Sequence, residues 1–206
     1  MLDNFIYRKN TTDENVMKEI LDKQAYRKKK LNFGISEDDV WLDGGAHIGI
    51  FGLYVAQNKG KKVYCYEPET ENYQILQKNA SLINSTYNTQ IECFKYAINQ
   101  NGGTHQFTIA PNTWRHSLMT HYKKKLPTVE IECKKIDDIL STYSDINAIK
   151  LDIEGSELEI FDYDHNFANI NKLVFEYSFT KDRNMDNFFR RADKLTSSWA
   201  LKLNAK

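Results

Sequence analysis

Carboxylates stand directly after three apolar segments of this sequence. Asp43 follows an apolar run that begins at Val40, Glu67 follows a second run and Asp152 follows a third. A carboxylate can accept a proton, bind a cation or meet a substrate hydroxyl, and several of them beside one ligand are unfavourable unless they have such a role. These acids are therefore the first candidates for a functional site.

A glycine-rich turn follows the first apolar run. It reads Asp43-Gly44-Gly45-Ala46-His47-Ile48-Gly49. Residues with little side chain let the backbone turn sharply and approach a ligand, and the helix behind the turn offers free N–H groups and the positive end of its dipole. We predict a ligand-binding loop here, although a plain strand-to-helix turn has the same composition.

Glu67 and Pro68 come after the second run. Glu67 lies 22 positions beyond Gly45. Nucleoside-binding sheets place at this spacing the acid that accepts both ribose hydroxyls. We therefore predict that Glu67 binds a ribose.

The third acid lies in the segment Lys150-Leu151-Asp152-Ile153-Glu154. Alternate side chains of a strand share a face, so Lys150 and Asp152 are expected on the same side of the sheet. Glu176 stands between two aromatic residues of a later apolar run. We expect these charged side chains to face a ligand cleft.

Alternating strands and helices must position these residues. Apolar periodicity predicts helices over residues 12–30, from the glycine-rich turn to about residue 57, and over 70–83, 136–143, 156–161 and about 185–195. It predicts strands over residues 40–43, 62–66, 90–96, 104–110, 128–133, 148–151 and 172–178. This order predicts an α/β fold with a mostly parallel twisted sheet and helices on both faces. Ligands of such sheets bind at the carboxyl ends of the strands, where the winding reverses.

Composition limits the class of protein. The chain has 206 residues, with 28 Lys and Arg against 28 Asp and Glu, which suits one domain and argues against a surface built to hold nucleic acid. No run approaches the ~20 apolar residues that cross a bilayer, and the first residues lack the features of a signal peptide. We expect a soluble, cytoplasmic protein with no membrane partner, made of an N-terminal helical extension (1–35) and a core (36–206); its oligomeric state is not indicated.

Taken in order, these segments resemble the FkbM-type methyltransferases, S-adenosylmethionine-dependent enzymes with a Rossmann-like sheet. The resemblance runs from about Val40 to Ser178, and His47 stands where the family usually has asparagine. The segments that carry it are Val40–Gly49, Tyr66-Glu67-Pro68 with Leu76–Asn79, Tyr96-Ala97-Ile98, Ser117-Leu118, Ile136–Leu140, Ile149–Glu157 and Phe175-Glu176-Tyr177.

The resemblance implies a class I methyltransferase sandwich of three layers, with seven strands of which the last is antiparallel. Only Ser198 to Lys206 remain after the last predicted helix, so we expect one short strand there, either because the last strand is missing or because the chain is one domain of a longer protein. The implied reaction is O-methylation of a small-molecule or glycan hydroxyl, with S-adenosylmethionine as donor and S-adenosylhomocysteine as product. The implied cofactor contacts are Asp43, Gly44, Gly45, Ala46, His47, Gly49, Glu67, Pro68, Tyr96, Ala97 and Asp152.

O-methylation needs a base or a cation near the acceptor oxygen, because an alcohol holds its proton tightly at neutral pH. We predict Asp152 as the base, Glu176 or Glu154 as a second carboxylate and Lys150 as a positioning charge. A divalent metal held by these acids is an alternative that no ligand spacing requires. The segment Trp114-Arg115-His116-Ser117 is predicted to line the acceptor pocket, although an ordinary polar loop is equally consistent with it.

Three other functions share some of these features. An NAD-dependent dehydrogenase has the same turn and acid, but its Gly-x-Gly-x-x-Gly pattern has glycine where this chain has Ala46. An RNA 2′-O-methyltransferase is suggested by the basic runs Arg27–Lys30 and Lys123–Lys125, which could follow phosphates, although such runs are usually solvated surface. A non-catalytic binding module is the third, if His47 impairs the loop.

Overall fold

Strands and helices alternate along the computed structural model, which describes residues 3–23, 34–109, 127–153, 157–161, 167–178 and 199–204. The helices are α1 (Thr12–Met17), continued by a π-helical turn (Lys18–Asp22), α2 (Ile50–Gln57), α3 (Thr70–Thr86), α4 (Ile136–Thr142) and α5 (Glu157–Phe161). The strands are β1 (Val40–Gly44), β2 (Lys62–Tyr66), β3 (Gln90–Phe94), β4 (Ala97–Asn99), β5 (Gly103–Thr108), β6 (Thr128–Lys135), β7 (Ala148–Leu151), β8 (Lys172–Ser178) and β9 (Trp199–Asn204). Each strand and helix predicted within these ranges is present, with ends shifted by a few residues.

The main sheet has six parallel strands in the order β3-β2-β1-β7-β8-β9. On one side of β1 the chain adds β2 and then β3, and on the other side it later adds β7, β8 and β9 in that order. Gly44, the last residue of β1, is paired with Tyr66 of β2 and with Leu151 of β7. The winding therefore reverses between β1 and β7, and the carboxyl ends of three strands meet there. This is where a parallel sheet of this kind binds ligands.

Each face of the sheet carries its own apolar core. On one face Trp41, Val63 and Cys65 pack with α1, α2 and α3, and on the other Leu42, Tyr64 and Ile149 pack with α4 and α5. Helix α2 is buried at seven of its positions, since both the sheet and neighbouring helices cover it. The described part of the chain thus has a helix–sheet–helix sandwich, as predicted.

A second, three-stranded sheet has the order β4-β6-β5. Strand β4 runs parallel to β6, and β5 runs antiparallel to it. The sequence predicted strands over 104–110 and 128–133 but not that they leave the main sheet. Because β3 ends at Phe94 rather than at Tyr96, the short strand β4 can pair with β6 instead.

The end of the main sheet differs from the arrangement that the family resemblance implied. Strand β9 pairs with β8 in parallel, with Phe175 opposite Leu201, and it is the one short strand expected after Ser198. The described main sheet has six strands and lacks the antiparallel seventh strand that the resemblance implied. Twenty residues separate the two strands, and a parallel neighbour needs a crossover of a dozen or more. The expected helix around 185–195 lies outside the described residues.

The predicted helix over 12–30 is α-helical only as far as Met17 and becomes π-helical over Lys18–Asp22; residues 24–33 lie outside the described part. Phe5, Met17 and Ile20 belong to the apolar core of one sheet face. Among the described residues, no helix has the length and apolar character to cross a bilayer.

Candidate functional site

The loop after β1 is built around glycines in left-handed backbone conformations. Gly45 has a φ of 74° and Gly49 a φ of 89°, which side chains rarely allow. A Cβ on residue 45 would overlap the carbonyl oxygen of Asp152, and one on residue 49 would lie 2.9 Å from a methyl carbon of Leu76. The amide of Asp152 donates to the carbonyl oxygen of Gly44 at 3.0 Å. The loops after β1 and β7 are therefore in direct backbone contact.

Four backbone N–H groups of this loop donate hydrogen bonds within the protein. The N–H groups of Gly45 and Ala46 both donate to the carbonyl oxygen of Tyr66 at 3.0 Å. The N–H of His47 donates to Oε2 of Glu67 at 2.8 Å, and that of Gly49 to the carbonyl oxygen of Ala46 at 2.9 Å. A loop that cradles phosphates aims such amides at the ligand, and these four amides are already engaged.

Glu67 follows β2 and is held at both carboxylate oxygens. Oε2 accepts the His47 amide, and Oε1 accepts the amide of Glu69 at 2.9 Å. Only 5% of Glu67 is exposed, and burial raises the pKa of its carboxyl group although the two amide donors oppose the rise. A carboxylate offers about four acceptor positions, so Glu67 can still accept from ligand hydroxyls.

Asp43 and Lys150 form a buried ion pair beneath the loop. Nζ of Lys150 lies 2.9 Å from Oδ1 of Asp43 and donates to the carbonyl oxygen of Gly45 at 3.0 Å. Asp43 has no exposed surface and Lys150 has 3%. Burial raises the pKa of Asp43, and the charge of Lys150 opposes that rise. The pair supports the loop from below, between β1 and β7.

Asp152 lies one residue beyond the carboxyl end of β7. Its side chain is 26% exposed, and its Oδ2 is 4.0 Å from Nζ of Lys150. Alternation had placed Lys150 and Asp152 on the same side, and this contact agrees with it. Asp152 is thus a partly exposed carboxylate close to the buried ammonium group of Lys150.

The other predicted cofactor contacts lie along the same edge of the sheet. Pro68 follows Glu67 in the turn before α3, and Tyr96 links β3 to Ala97, the first residue of β4. The ring of Tyr96 is half-buried and has Nζ of Lys134 4.4 Å above it. No described contact joins these three residues to Glu67 or Asp152, so their roles stay predictions.

Several predicted residues fall outside what the structure describes. Glu154 and the acceptor-pocket segment Trp114, Arg115, His116 and Ser117 belong to undescribed ranges, as do the basic runs Arg27–Lys30 and Lys123–Lys125. Glu176 lies in β8 opposite Lys202, and its side chain is not described. Among the described residues, no group of three or more His, Cys, Asp or Glu side chains could hold a metal ion.

Two residues of the N-terminal segment (residues 3–13), which the sequence pattern did not indicate, contact the loop, as does Asn79 of α3. Arg8 and Asp13 reach the ring of His47, and Asn79 of α3 donates from its side chain to the carbonyl oxygen of Ile48 at 2.8 Å. Asp13 reads as an ordinary acid in the first turn of a helix. Its sequence neighbourhood gives no sign that its side chain meets a loop more than thirty residues away.

The doubly wound parallel sheet, with a glycine loop and an acid at adjacent strand ends, defines an α/β protein of the Rossmann-like class. The family model described as the methyltransferase FkbM domain matches residues 43–197. The chain belongs to the FkbM methyltransferase family, and it is a methyltransferase. Comparisons with curated proteins and with solved structures gave no match.

Proposed function

We propose that this methyltransferase uses S-adenosylmethionine to methylate a hydroxyl group of a sugar or glycan. The observation that carries the proposal is Glu67, a buried carboxylate fixed by two backbone amides at the carboxyl end of β2, the strand next to β1. Such an acid recognises a ribose, because its oxygens accept from both hydroxyls. The acceptor class rests on the family resemblance alone.

The residues present fit this donor better than a dinucleotide. The cofactor of a dehydrogenase has a pyrophosphate, which is bound by free amides of the glycine loop as well as by those of the helix that follows it. Here the amides of Gly45, Ala46, His47 and Gly49 donate within the protein. S-adenosylmethionine has no phosphate, so this loop only has to approach it closely, which the two left-handed glycines permit.

Each charged residue of the site has a distinct task in the proposed reaction. Bound S-adenosylmethionine supplies an activated methyl group. Glu67 holds the ribose, the Asp43–Lys150 pair fixes the loop through the carbonyl oxygen of Gly45, and Asp152 takes the proton of the acceptor hydroxyl at its carboxylate. The main contribution of the protein is alignment of the two reactants, with proton removal adding to it.

Transfer of a radiolabelled methyl group from S-adenosylmethionine to members of a glycan and deoxysugar panel tests the reaction. A thermal-shift comparison tests the donor: S-adenosylhomocysteine should raise the Tm, and NAD should not. Stabilisation by NAD with none by S-adenosylhomocysteine would contradict the proposal. Labelling of RNA alone would show that the acceptor is RNA and not a sugar or glycan.

The Glu67→Gln variant should bind S-adenosylhomocysteine about 10- to 100-fold more weakly, because hydrogen bonds to a charged acceptor contribute about 1.5–3 kcal/mol. Isothermal titration calorimetry measures the Kd. Glu92→Gln is the matched control: Glu92 is a carboxylate of β3 that pairs with Lys62 at 2.7 Å, and its loss should leave the Kd unchanged. Equal Kd values for the Glu67→Gln variant and the wild type would contradict the ribose role.

A further inference from the structure

Hydrogen bonds join the N-terminal segment, residues 3–13, to the glycine loop and to α3. The side chain of Asn79 accepts the amide of Ile6 at 2.8 Å and donates to the carbonyl oxygens of Ile6 at 2.9 Å and Ile48 at 2.8 Å. One asparagine of α3 thereby joins the segment to the loop. The segment precedes the matched range 43–197, so the family match does not include it.

Arg8 and Asp13 form the second attachment. Nε and Nη2 of Arg8 donate to the two oxygens of Asp13 at 2.9 and 3.1 Å, and the Arg8 amide donates to Oδ2 at 2.9 Å. Nη2 also donates to Oδ1 of Asn72 in the first turn of α3 at 2.7 Å. Burial alone would raise the pKa of Asp13, but hydrogen bonds from His47 and Arg8 outweigh it and hold that pKa well below its ordinary value. Asp13 is therefore a buried anion directed at the loop.

His47 receives this contact in an unusual backbone conformation. Its φ is 52°, in the left-handed region, which is uncommon for residues other than glycine although histidine adopts it more readily than most. Its Nε2 lies 3.3 Å from Oδ1 of Asp13 and 3.2 Å from Nη2 of Arg8, so one or the other forms the hydrogen bond according to the tautomer. The backbone N–H of the same residue donates to Oε2 of Glu67. The contact to the ring therefore holds the residue whose amide holds Glu67.

We propose that Asp13, with Arg8, is a positioning residue for cofactor binding: it fixes His47, and through the His47 amide it fixes the Glu67 carboxylate. This inference rests on the proposed function, because it takes Glu67 as the ribose acceptor. It adds the N-terminal segment to the cofactor site as a support that touches no cofactor itself. It also gives the histidine at position 47 a role, because its ring reaches Asp13.

The test compares Asp13→Asn with a carboxylate that is buried elsewhere. Asp39 is 6% exposed and lies 2.7 Å from Nζ of Lys172, at the opposite end of β1 from the loop. Both variants should lose stability, but only Asp13→Asn should weaken S-adenosylhomocysteine binding, by about tenfold, the effect of one hydrogen bond to a charged group. Calorimetry gives the Kd, and thermal unfolding gives the Tm. A Kd that is unchanged in Asp13→Asn, or that rises equally in Asp39→Asn, overturns the inference.

A double-mutant cycle with His47→Asn separates positioning from general destabilisation. Since the effect of Asp13 passes through the ring, Asp13→Asn should change the Kd less than threefold in the His47→Asn background. The same tenfold loss in both backgrounds overturns the inference. If Asp13→Asn does not fold, Arg8→Lys carries the test, because lysine keeps the charge but not the two-pronged contact, and it should raise the Kd without changing kcat.

The two proposals fail differently. If the wild-type protein does not bind S-adenosylhomocysteine, the proposed function is wrong and the inference falls with it. If the wild type binds and Asp13→Asn binds equally well, the inference alone is wrong and the assignment of Glu67 stands.

Discussion

The Asp152→Asn variant should lose most of its turnover, by about 10²- to 10⁴-fold, while its affinity for S-adenosylhomocysteine changes by less than tenfold. The amide has nearly the shape of the carboxylate but cannot accept the proton of an acceptor hydroxyl. The side chain is partly exposed and hydrogen-bonds no part of the glycine loop through its described contacts, so its replacement should leave the loop in place. Single-turnover methyl transfer and calorimetry measure the two quantities.

Asp145→Asn is the matched control for that experiment. Asp145 is an exposed acid just ahead of the same strand, at the end away from the site, where it accepts from the hydroxyl of Tyr64 at 3.1 Å. The turnover of the Asp145→Asn variant should match that of the wild type. Near-full activity of Asp152→Asn would show that Asp152 is not the base and would direct attention to Glu154 and Glu176.

The second large effect concerns stability. Lys150→Met leaves the carboxylate of Asp43 buried without its cation, and removal of one partner of a buried pair costs about 3–5 kcal/mol. Denaturant unfolding at pH 7 should show a loss of this size. Lys59→Met gives the matched control, because Lys59 pairs with Glu37 at 3.4 Å on the surface, where both side chains are largely exposed, and exposed pairs contribute under about 1 kcal/mol.

The loss in Lys150→Met should also depend on pH. Burial already raises the pKa of Asp43, and Lys150 is the main influence opposing that rise, so removing Lys150 raises this pKa further. A carboxyl group whose folded pKa exceeds its unfolded pKa weakens the fold increasingly as pH rises through the interval between the two. The deficit relative to wild type should therefore be smaller at pH 5 than at pH 8. Adding Asp43→Asn should restore part of the stability at pH 8; a double variant no more stable than Lys150→Met would show that the loss comes from packing.

The sequence predicted the parts of the site that depend on local pattern. Apolar runs bounded by glycine or acid located β1, β2 and β7, and parallel pairing then required Asp43, Glu67 and Asp152 to lie at one edge. Alternation along β7 was enough to place Lys150 and Asp152 on the same side. These inferences succeed because the two-residue period of a strand and the residues at its ends can be recognised from adjacent positions in the sequence.

Other parts of the structure depend on contacts between distant segments. Nothing around Asp13 indicates that it meets His47, and the spacing of Lys150 does not show that its partner is the fully buried Asp43. The direction of β9 is set by where its crossover returns to the sheet, which β-propensity does not encode. The departure of β4 from the main sheet likewise depends on its pairing with β6.

The Asp43–Lys150 pair affects the order in which parts of this domain can fold during synthesis. Gly45 and Lys150, which share a hydrogen bond, are separated by 105 positions, so a ribosome must deliver most of the domain before the charge on Asp43 meets its counterion. A nascent chain that has emerged only as far as β6 contains that carboxylate without Lys150, so enclosing Asp43 in its interior costs about 3–5 kcal/mol more than in the complete domain. Vectorial synthesis should therefore disfavour closure of the amino-terminal half until β7 emerges, and the glycine loop should form late in folding.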